Sequence, residues 1–294
     1  MIPRSLRVKT VQNKSLAELT TFRIGGLARF YIEPETIREV VLATRFAREQ
    51  GMPLYVLGGG SNLLIDDAGV DGLVINLKRM KAVRRFGLNV VVQAGANLGM
   101  FINECNSNGL AGPHGLAGIP GTIGGALAMN AGGKYAEIFD FVESVIWITP
   151  EGELQSRYKE EIEFGYRISE LRLGTILEVT IKTASAEPSE LIAETRRINA
   201  EKISVQPYRK FSAGCAFKNP KDKSAGLCID QAGCKGLSVG GAKVSMKHGN
   251  FIVNEGGARA RDVRELMELV TTKVKQVHGV SLQPEVQFWP RVAA

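Results

Sequence analysis

Two glycine-rich segments are the first parts of this chain whose residue types suggest chemistry. An apolar strand, predicted over residues 53–57, runs directly into Gly58-Gly59-Gly60-Ser61-Asn62. Farther along, six glycines recur at every third position from Gly109 to Gly124, in a segment too short and too poor in proline for a collagen-like helix. Glycines expose main-chain N–H groups, which can bind phosphate. The residues alone leave two interpretations open, an ordinary turn or a phosphate site.

The second glycine-rich segment, residues 118–125, belongs to neither common nucleotide motif. It lacks the Lys-Ser/Thr of a P-loop and the strand-to-helix context of a Rossmann fingerprint. Two such loops in one chain suit a single elongated diphosphate ligand. A Rossmann fold that binds nicotinamide is the less favoured interpretation.

Three polar side chains are candidates for a reactive centre. Arg167 precedes a predicted strand, where its guanidinium could bind a carboxylate through two hydrogen bonds. Cys215 lies among small residues and is followed by Lys218, which could bind phosphate or favour a thiolate. Glu285 lies in an otherwise apolar segment near the C-terminus. Each has an ordinary alternative: a surface ion pair, a buried thiol and one carboxylate among thirty acids.

Other classes of active site are disfavoured by what the sequence lacks. The histidines have no partners at metal-ligand spacing, so no metal site is expected. There is no G-x-S-x-G of a serine hydrolase and no C-x-x-C pair, and the thiols are expected to be reduced. The histidines are His114, His248 and His278, and the cysteines are Cys105, Cys215, Cys228 and Cys234.

Charge and composition narrow the class of partner. The formal net charge of +7 and the isoelectric point near 9.2 favour anionic ligands. Basic blocks with interleaved aromatic residues are missing, so a phosphorylated small molecule is favoured over nucleic acid. Hydrophobic residues make up 44% and charged residues 23%, as in folded proteins. No apolar run approaches the ~18 residues of a membrane span, and no secretory signal is recognised, so we expect a cytoplasmic protein without membrane insertion.

The elements that must position these residues are mixed helices and strands. The 294 residues favour two compact units. Apolar periodicity predicts helices over residues 34–51, with Thr36 as the candidate N-cap, over 97–109 and over 189–203. A last helix is predicted to carry Val263 to Val277 and to end at Gly279. Strands are predicted over residues 53–57, 72–77, 89–94, 142–149 and 174–183. The composition changes near residues 186–189, which marks a boundary within an α+β chain.

Eight motifs, taken together and in order from about residue 20 to residue 289, resemble one known family. They are Thr21–Gly26, Leu57–Leu64, Gly118–Ala126 with Met129 and Asn130, Tyr166–Ser169, Ala213–Pro220, Ala225–Asp230, Val244–Asn254 and Pro284–Val286. The chain is similar to the UDP-N-acetylenolpyruvoylglucosamine reductase (MurB) family of bacterial cell-wall synthesis. A short connection before Ala213 is typical of the shorter form of the family.

The resemblance implies a fold class and a domain order. The fold is α+β, with a two-lobed FAD-binding domain of the vanillyl-alcohol-oxidase (PCMH) type followed by an α+β substrate-binding domain. We expect a leader over residues 1–19, the FAD-binding domain over 20–187 and the substrate-binding domain with the C-terminal tail over 188–294. The two lobes are expected at about residues 20–88 and 89–187.

The resemblance also implies the cofactor and the residues that hold it. The cofactor is FAD, and it is non-covalent, because Ser61-Asn62 stands where covalently flavinylated relatives often carry histidine. The implied cofactor-binding residues are Leu57, Gly58, Gly59, Gly60, Ser61, Asn62, Leu63, Gly118, Ile119, Pro120, Gly121, Thr122, Gly124, Gly125 and Asn130.

The implied activity is the NADPH-dependent reduction of UDP-N-acetylglucosamine enolpyruvate to UDP-N-acetylmuramate through FAD, in peptidoglycan synthesis. By resemblance, Arg167 and Glu285 stabilise charge that develops on the enolpyruvyl group, with Glu285 protonated. Cys215 stands where the family usually has a serine that gives a proton to C2. The implied substrate-binding residues are Tyr166, Lys218 and Asn219.

One further position departs from the family pattern. Gln287 stands where some relatives carry an arginine, so a direct substrate contact there is in doubt. Two alternatives to the reductase are another FAD-linked oxidase on the same fold and a basic nucleic-acid-binding module.

Overall fold

The chain forms two compact units that interleave along the sequence. The structure is a computed structural model that describes residues 9–290. Among the described residues, the first unit comprises residues 9–12, 30–59 and 71–201, and the second comprises residues 13–29, 60–70 and 202–290. The segment Leu57–Leu63 therefore contributes to both units, and the chain passes from one to the other at Gly59 and Gly60.

The described residues contain six α-helices, six short 3₁₀ turns and nineteen strands. The α-helices are α1 (Ile37–Glu49), α2 (Leu98–Ser107), α3 (Ile123–Ala128), α4 (Pro188–Val205), α5 (Ala225–Gln231) and α6 (Ala260–His278). The 3₁₀ turns are Ala17–Leu19, Leu77–Arg79, Pro113–Leu116, Ile138–Asp140, Lys159–Glu161 and Glu170–Leu173. The strands are β1 (Val11–Ser15), β2 (Leu27–Ile32), β3 (Leu54–Leu57), β4 (Leu63–Ile65), β5 (Val70–Asn76), β6 (Val83–Phe86), β7 (Asn89–Gln93), β8 (Leu110–Ala111), β9 (Val142–Ile148), β10 (Leu154–Tyr158), β11 (Phe164–Gly165), β12 (Ile168–Ser169), β13 (Thr175–Lys182), β14 (Ala184–Ser185), β15 (Phe211–Cys215), β16 (Ser238–Val239), β17 (Ala242–Val244), β18 (Phe251–Asn254) and β19 (Gln287–Trp289).

The first unit is built on a five-stranded antiparallel sheet in the order β10-β9-β13-β7-β6. Val145 on β9 and Val179 on β13 are directly paired and buried, which places one face of the sheet in the core. In the same unit β3 runs parallel to β5, with Leu57 opposite Asn76. The end of β3 delivers the chain to the first glycine-rich loop.

The second unit combines a small antiparallel sheet with a long amphipathic helix. The sheet has the order β15-β18-β17-β16, and α6 packs against β16 and β17. Leu266 and Val270 lie on the buried face of α6, and Gly279 ends the helix in the left-handed conformation, with a φ of +67°. Beside the sheet, β19 pairs in parallel with β4. This pairing connects the segment after Glu285 to the segment after the first glycine loop.

The predicted elements are present, with shifts of a few residues at their ends. Thr36, the predicted N-cap of α1, accepts a hydrogen bond from the Glu39 N–H at 3.2 Å. The last helix extends over Ala260–His278 and ends at the predicted glycine. The segment expected to be a leader contains β1 and a 3₁₀ turn within its described part, and its first eight residues lie outside the described residues.

The expected domain order stays a prediction, because compact units and consecutive domains are different divisions of the chain.

Within residues 9–290, no helix is both long enough and apolar enough to cross a bilayer.

The core of the second unit gives a matched pair of stability predictions. Leu266→Ala should lower the free energy of unfolding by about 2–5 kcal/mol because it leaves a cavity under α6. Leu269→Ala on the same helix, at a position 38% exposed, should cost about 1 kcal/mol or less. Urea unfolding followed by circular dichroism measures both. Equal losses in the two variants would contradict the described orientation of α6.

Candidate functional site

The two glycine-rich segments approach each other closely in the first unit. A Cβ atom added to Gly58 would lie 2.5 Å from Oγ1 of Thr122, and one added to Gly59 would lie 2.8 Å from Cα of Gly121. Both distances are too short for a side chain, so only glycine fits at these two positions. The surface that they form is therefore mostly main chain.

Thr122 fixes the second segment at this contact. Its buried side chain accepts a hydrogen bond from the Gly125 N–H at 3.3 Å, and the Gly124 N–H donates to the Ala94 carbonyl at 2.8 Å. The first turn of α3 is therefore held against the end of β7, the sheet strand that ends at Gln93. A larger residue at Gly58 would have to displace the Thr122 side chain and disturb these hydrogen bonds.

A cavity of about 90 Å³ joins the two segments within the first unit. Glycines from both segments line it, together with apolar residues, Thr122 and Arg172. The lining residues are Val56, Leu57, Gly58, Leu77, Ala94, Thr122, Gly124, Gly125, Ala128, Leu171, Arg172, Gly174 and Ile176. Exposed main-chain N–H groups at glycines can bind phosphate, so this cavity is a candidate for the diphosphate part of a dinucleotide site.

Arg167 lies at the tip of a short hairpin in the first unit. Strands β11 and β12 pair through Gly165 and Ile168, which leaves Tyr166 and Arg167 as the turn. Arg167 has a φ of +57°, a conformation that non-glycine residues rarely adopt and that is often found at functional sites. Its guanidinium donates to the Gly132 carbonyl at 2.7 Å and lies 4.9 Å from the centre of the Tyr166 ring. These contacts orient a cation whose side chain is only 16% exposed.

Asn130 connects this hairpin to the loop after α3. Its Nδ2 donates to Oε2 of Glu137 at 2.8 Å and to the Gly165 carbonyl at 3.1 Å. Oε1 of Glu137 lies 4.0 Å from the Arg167 guanidinium. Oδ1 of Asn130 is buried and has no hydrogen-bond partner among the described residues. Asn130, expected to bind the cofactor, thus has its amide nitrogen committed to the hairpin, and Oδ1 is the atom that remains for a ligand.

In the second unit, the end of the first glycine loop contacts the segment around Glu285. Nδ2 of Asn62 donates to the Glu285 carbonyl at 3.2 Å, and Nε2 of Gln287 donates to the same carbonyl at 2.9 Å. The Gln287 N–H donates to the Asn62 carbonyl at 2.9 Å. The side chain of Gln287 therefore supports the main chain at Glu285.

Cys215 ends β15 just after an irregularity in the strand. The register of β15 against β18 shifts between Ser212 and Cys215, where Gly214 has a φ of +75°. The next residue, Ala216, accepts a hydrogen bond from the Glu285 N–H at 2.9 Å. The structure thus brings the segments that carry Cys215 and Glu285 side by side within one unit.

The two predicted substrate-binding residues after Cys215 are held by different contacts. The Lys218 N–H donates to the Gln283 carbonyl at 2.8 Å, which continues the pairing of the two segments. Oδ1 of Asn219 accepts a hydrogen bond from the Ala225 N–H at 3.0 Å, close to the start of α5. This contact orients the amide of Asn219.

Each unit gathers part of the predicted set. The first unit holds Gly58, Gly59, residues 118–125, Asn130 and Arg167, and the second holds Gly60 to Leu63, residues 215–219 and Glu285. Sequence reasoning gave no role to Glu137 or Asn250, whose contacts are only visible in the fold. Asn250 lies in the motif Val244–Asn254, which could have drawn attention to it, but a sequence motif does not show which groups its side chain contacts.

Comparisons with known proteins show which family this chain resembles. A family model described as the FAD binding domain matches residues 28–156, and the model of the UDP-N-acetylenolpyruvoylglucosamine reductase C-terminal domain matches residues 206–289. The chain is 39% identical over 277 residues to the UDP-N-acetylenolpyruvoylglucosamine reductase of Chlamydia felis, covering 94% of this chain and 93% of the relative. It is 38% identical over 271 residues to that of Clostridium botulinum (strain Okra / Type B1), covering 92% and 89%.

A solved structure shows the same similarity in three dimensions. The crystal structure of UDP-N-acetylenolpyruvylglucosamine reductase (MurB) from Thermus caldophilus superimposes with a TM-score of 0.82 at 38% identity, covering 96% of this chain and 98% of that one. The predicted α+β class with an FAD-binding domain of this type is confirmed.

Thiol chemistry at this site can be tested directly. We expect iodoacetamide at pH 8 to modify Cys215 at least about tenfold faster than the other cysteines, because thiolates react and buried thiols ionise poorly. Burial raises the pKa of Cys105 to about 12 and also raises the pKa of Cys234, and Cys228 is buried. Peptide mass spectrometry over time gives the rates. Modification of Cys105 at the rate of Cys215 would contradict the described burial.

Proposed function

This chain belongs to the UDP-N-acetylenolpyruvoylglucosamine reductase family, and we propose that Arg167, Cys215 and Glu285 perform its reaction. It is an FAD-containing oxidoreductase of peptidoglycan synthesis, with NADPH as reductant. The substrate is UDP-N-acetylglucosamine enolpyruvate, whose carbon–carbon double bond gains a hydride at C3 and a proton at C2. The observation that carries the assignment is the hydrogen bond between the Glu285 N–H and the Ala216 carbonyl, next to Cys215.

When bound, FAD supplies at C3 the hydride that it has received from NADPH. The protein must then supply the proton at C2 and stabilise the charge that develops there and on the adjoining carboxylate. Donors placed in advance where that charge develops lower the barrier most.

Cys215 is proposed as the proton donor to C2. The S–H bond breaks, the proton forms the new C–H bond, and the thiolate that remains is reprotonated from solvent before the next turnover. An ordinary thiol, with a pKa of about 8.5, is a much stronger acid than a serine hydroxyl. A thiol can therefore replace the serine of other family members.

Arg167 and Glu285 are proposed to bind the enolpyruvyl carboxylate. A guanidinium can hold a carboxylate through two parallel hydrogen bonds, and the hairpin contacts of Arg167 fix its direction. Glu285, in its protonated form, donates a hydrogen bond to the same developing charge. Lys218 and Asn219 are proposed to contact the UDP diphosphate, and Tyr166 is proposed to contact the substrate.

The main chain of the two glycine segments is proposed to hold FAD non-covalently. The close approach at Gly58 and Gly59 and the cavity beside Thr122 support this assignment. A cytoplasmic location is part of the proposal, since NADPH is supplied there. The four cysteines form no disulfide, which agrees with a reducing compartment.

The reaction is tested by a coupled assay on the purified yellow protein. We expect NADPH oxidation to depend on UDP-N-acetylglucosamine enolpyruvate and to yield UDP-N-acetylmuramate, with little transfer of electrons to oxygen. Oxidation that is equally fast without the sugar nucleotide, and that produces hydrogen peroxide, would instead favour an oxidase on the same fold.

Replacing the thiol should separate the two half-reactions. Cys215→Ala should slow oxidation of the reduced enzyme by substrate by about 10²–10⁴-fold because a general acid is lost. Reduction by NADPH, which needs no proton at C2, should be unchanged. Cys215→Ser should restore much of the rate, and Cys105→Ala is the matched control. Anaerobic stopped-flow absorbance resolves both steps, and a normal oxidation rate in Cys215→Ala would defeat the proton-donor role.

The glycine contact gives a prediction for cofactor binding. Gly59→Ala should reduce the affinity for FAD at least about tenfold, because the new methyl group must displace the main chain at Gly121. Gly133→Ala is the control, since a Cβ at that position meets no atom within 4 Å. Flavin content after purification and fluorescence titration with FAD measure the effect. Equal flavin affinity in the two variants would contradict the proposal that the main chain at Gly59 contributes to FAD binding.

A further inference from the structure

A four-residue segment, Cys215–Lys218, lies between two neighbours in the second unit, and we call it the strap. On one side it pairs with the segment before Gln287: the Glu285 N–H donates to the Ala216 carbonyl at 2.9 Å, the Lys218 N–H donates to the Gln283 carbonyl at 2.8 Å, and Phe217 forms an isolated bridge with Pro284. On the other side lies the turn before β18. The strap is thus the element that carries Cys215 and holds Glu285 at the same time.

The regular ladder between β15 and β18 ends at the start of the strap. Cys215 is opposite Phe251, and the next contact is a hydrogen bond of 2.8 Å from the Ala216 N–H to the Asn250 carbonyl. Beyond Ala216, a side chain takes the place of a neighbouring strand. Oδ1 of Asn250 accepts from the Phe217 N–H at 2.9 Å, and Nδ2 of Asn250 donates to the Phe217 carbonyl at 2.7 Å.

This amide bridge lies in the core. Asn250 is 3% exposed and Phe217 is 2% exposed, so water cannot replace either hydrogen bond at low cost. An amide is the side-chain group that offers one acceptor and one donor in the spacing of a peptide bond. Asn250 is itself fixed, because its N–H donates to Nδ1 of His248 at 3.2 Å.

We propose that Asn250 is a positioning residue that sets the strap, and through it the relative placement of Cys215 and Glu285. The inference rests on the proposed function, in which these two residues act on C2 of the substrate and on its carboxylate. Asn250 makes no contact with substrate in this assignment. It acts by pairing both polar main-chain groups of Phe217, two residues after Cys215 and directly opposite Pro284.

The expected effect follows from the position of the strap. Without the amide, the Phe217 N–H and carbonyl lack partners in the core, and the strap can relieve this only by moving relative to β18. Such a movement changes the place of the Cys215 sulfur, and a misplacement of about 1 Å can cost about 10²-fold in rate. The step that uses Cys215 should therefore suffer, and the reduction by NADPH should not.

The test compares the two half-reactions in the FAD-loaded enzyme by anaerobic stopped-flow absorbance. In Asn250→Ala, oxidation by UDP-N-acetylglucosamine enolpyruvate should slow by about 10–100-fold, and reduction by NADPH should stay within about twofold of the wild type. Asn250→Asp, which keeps the shape and the acceptor for the Phe217 N–H but loses the amide donor, should show an intermediate rate of oxidation. If Asn250→Ala does not fold, the Asn250→Asp variant still provides the comparison of the two half-reactions.

Asn106→Ala is the matched control for loss of a buried asparagine. Nδ2 of Asn106 donates to Oγ1 of Thr195 at 2.8 Å within the first unit, and Asn106 is 1% exposed. This variant should melt at a lower temperature, with both half-reactions within about twofold of the wild type.

The outcomes separate this inference from the proposed function. If the wild type is oxidised by the substrate and a folded Asn250 variant is equally fast, or is slowed equally in both half-reactions, the positioning role is overturned. If the reduced wild type is not oxidised by the sugar nucleotide at all, the proposed function fails, and this inference fails with it. Selective slowing of oxidation in both Asn250 variants, in the expected order, supports the inference.

Discussion

The contact between Gly58 and Thr122 is the constraint on which the first unit's site depends. A Cβ atom on residue 58 would lie only 2.5 Å from the Thr122 hydroxyl oxygen, so the first segment can approach the second only as bare main chain. Thr122 is held by Gly125, and Gly124 is held by the central sheet, so the contact rests on the core of the unit. A rigid surface of main-chain atoms can bind an anion without the loss of conformational entropy that ordering flexible side chains would cost. The glycine content of the chain thus has a structural reason at these positions.

Much of the fold could be predicted from periodicity and end signals. The apolar faces of α1, α2 and α6 predicted those helices, and Thr36, Asn97 and Gly279 predicted where they begin or end, because capping is a local interaction. The strand β1 was missed, since its residues are polar and mostly exposed. The interleaving of the two units was missed as well, because it depends on which distant segments pair, and local patterns do not carry that information.

For the candidate site, the sequence motifs gave candidate residues but not the contacts between them. The motifs identified Arg167, Cys215 and Glu285, but the left-handed turn at Arg167 and the bond between the Glu285 N–H and Ala216 are tertiary features. Asn130 shows the difference between the two kinds of information. Its presence in a motif suggested a ligand contact, whereas its amide nitrogen joins Glu137 to the hairpin that carries Arg167.

The two departures from the family pattern, Cys215 and Gln287, are compatible with each other in this structure. An arginine at position 287 would bring a positive charge near Glu285, and a cation stabilises the charged form of a carboxyl group. Gln287 brings no charge, and its amide supports the Glu285 carbonyl instead. A neutral support suits a carboxyl group that is proposed to act as a hydrogen-bond donor, since only its protonated form can donate. A thiol is a stronger acid than the serine hydroxyl that other family members use as proton donor. Proton transfer from Cys215 to C2 therefore needs less assistance from charged groups around the donor.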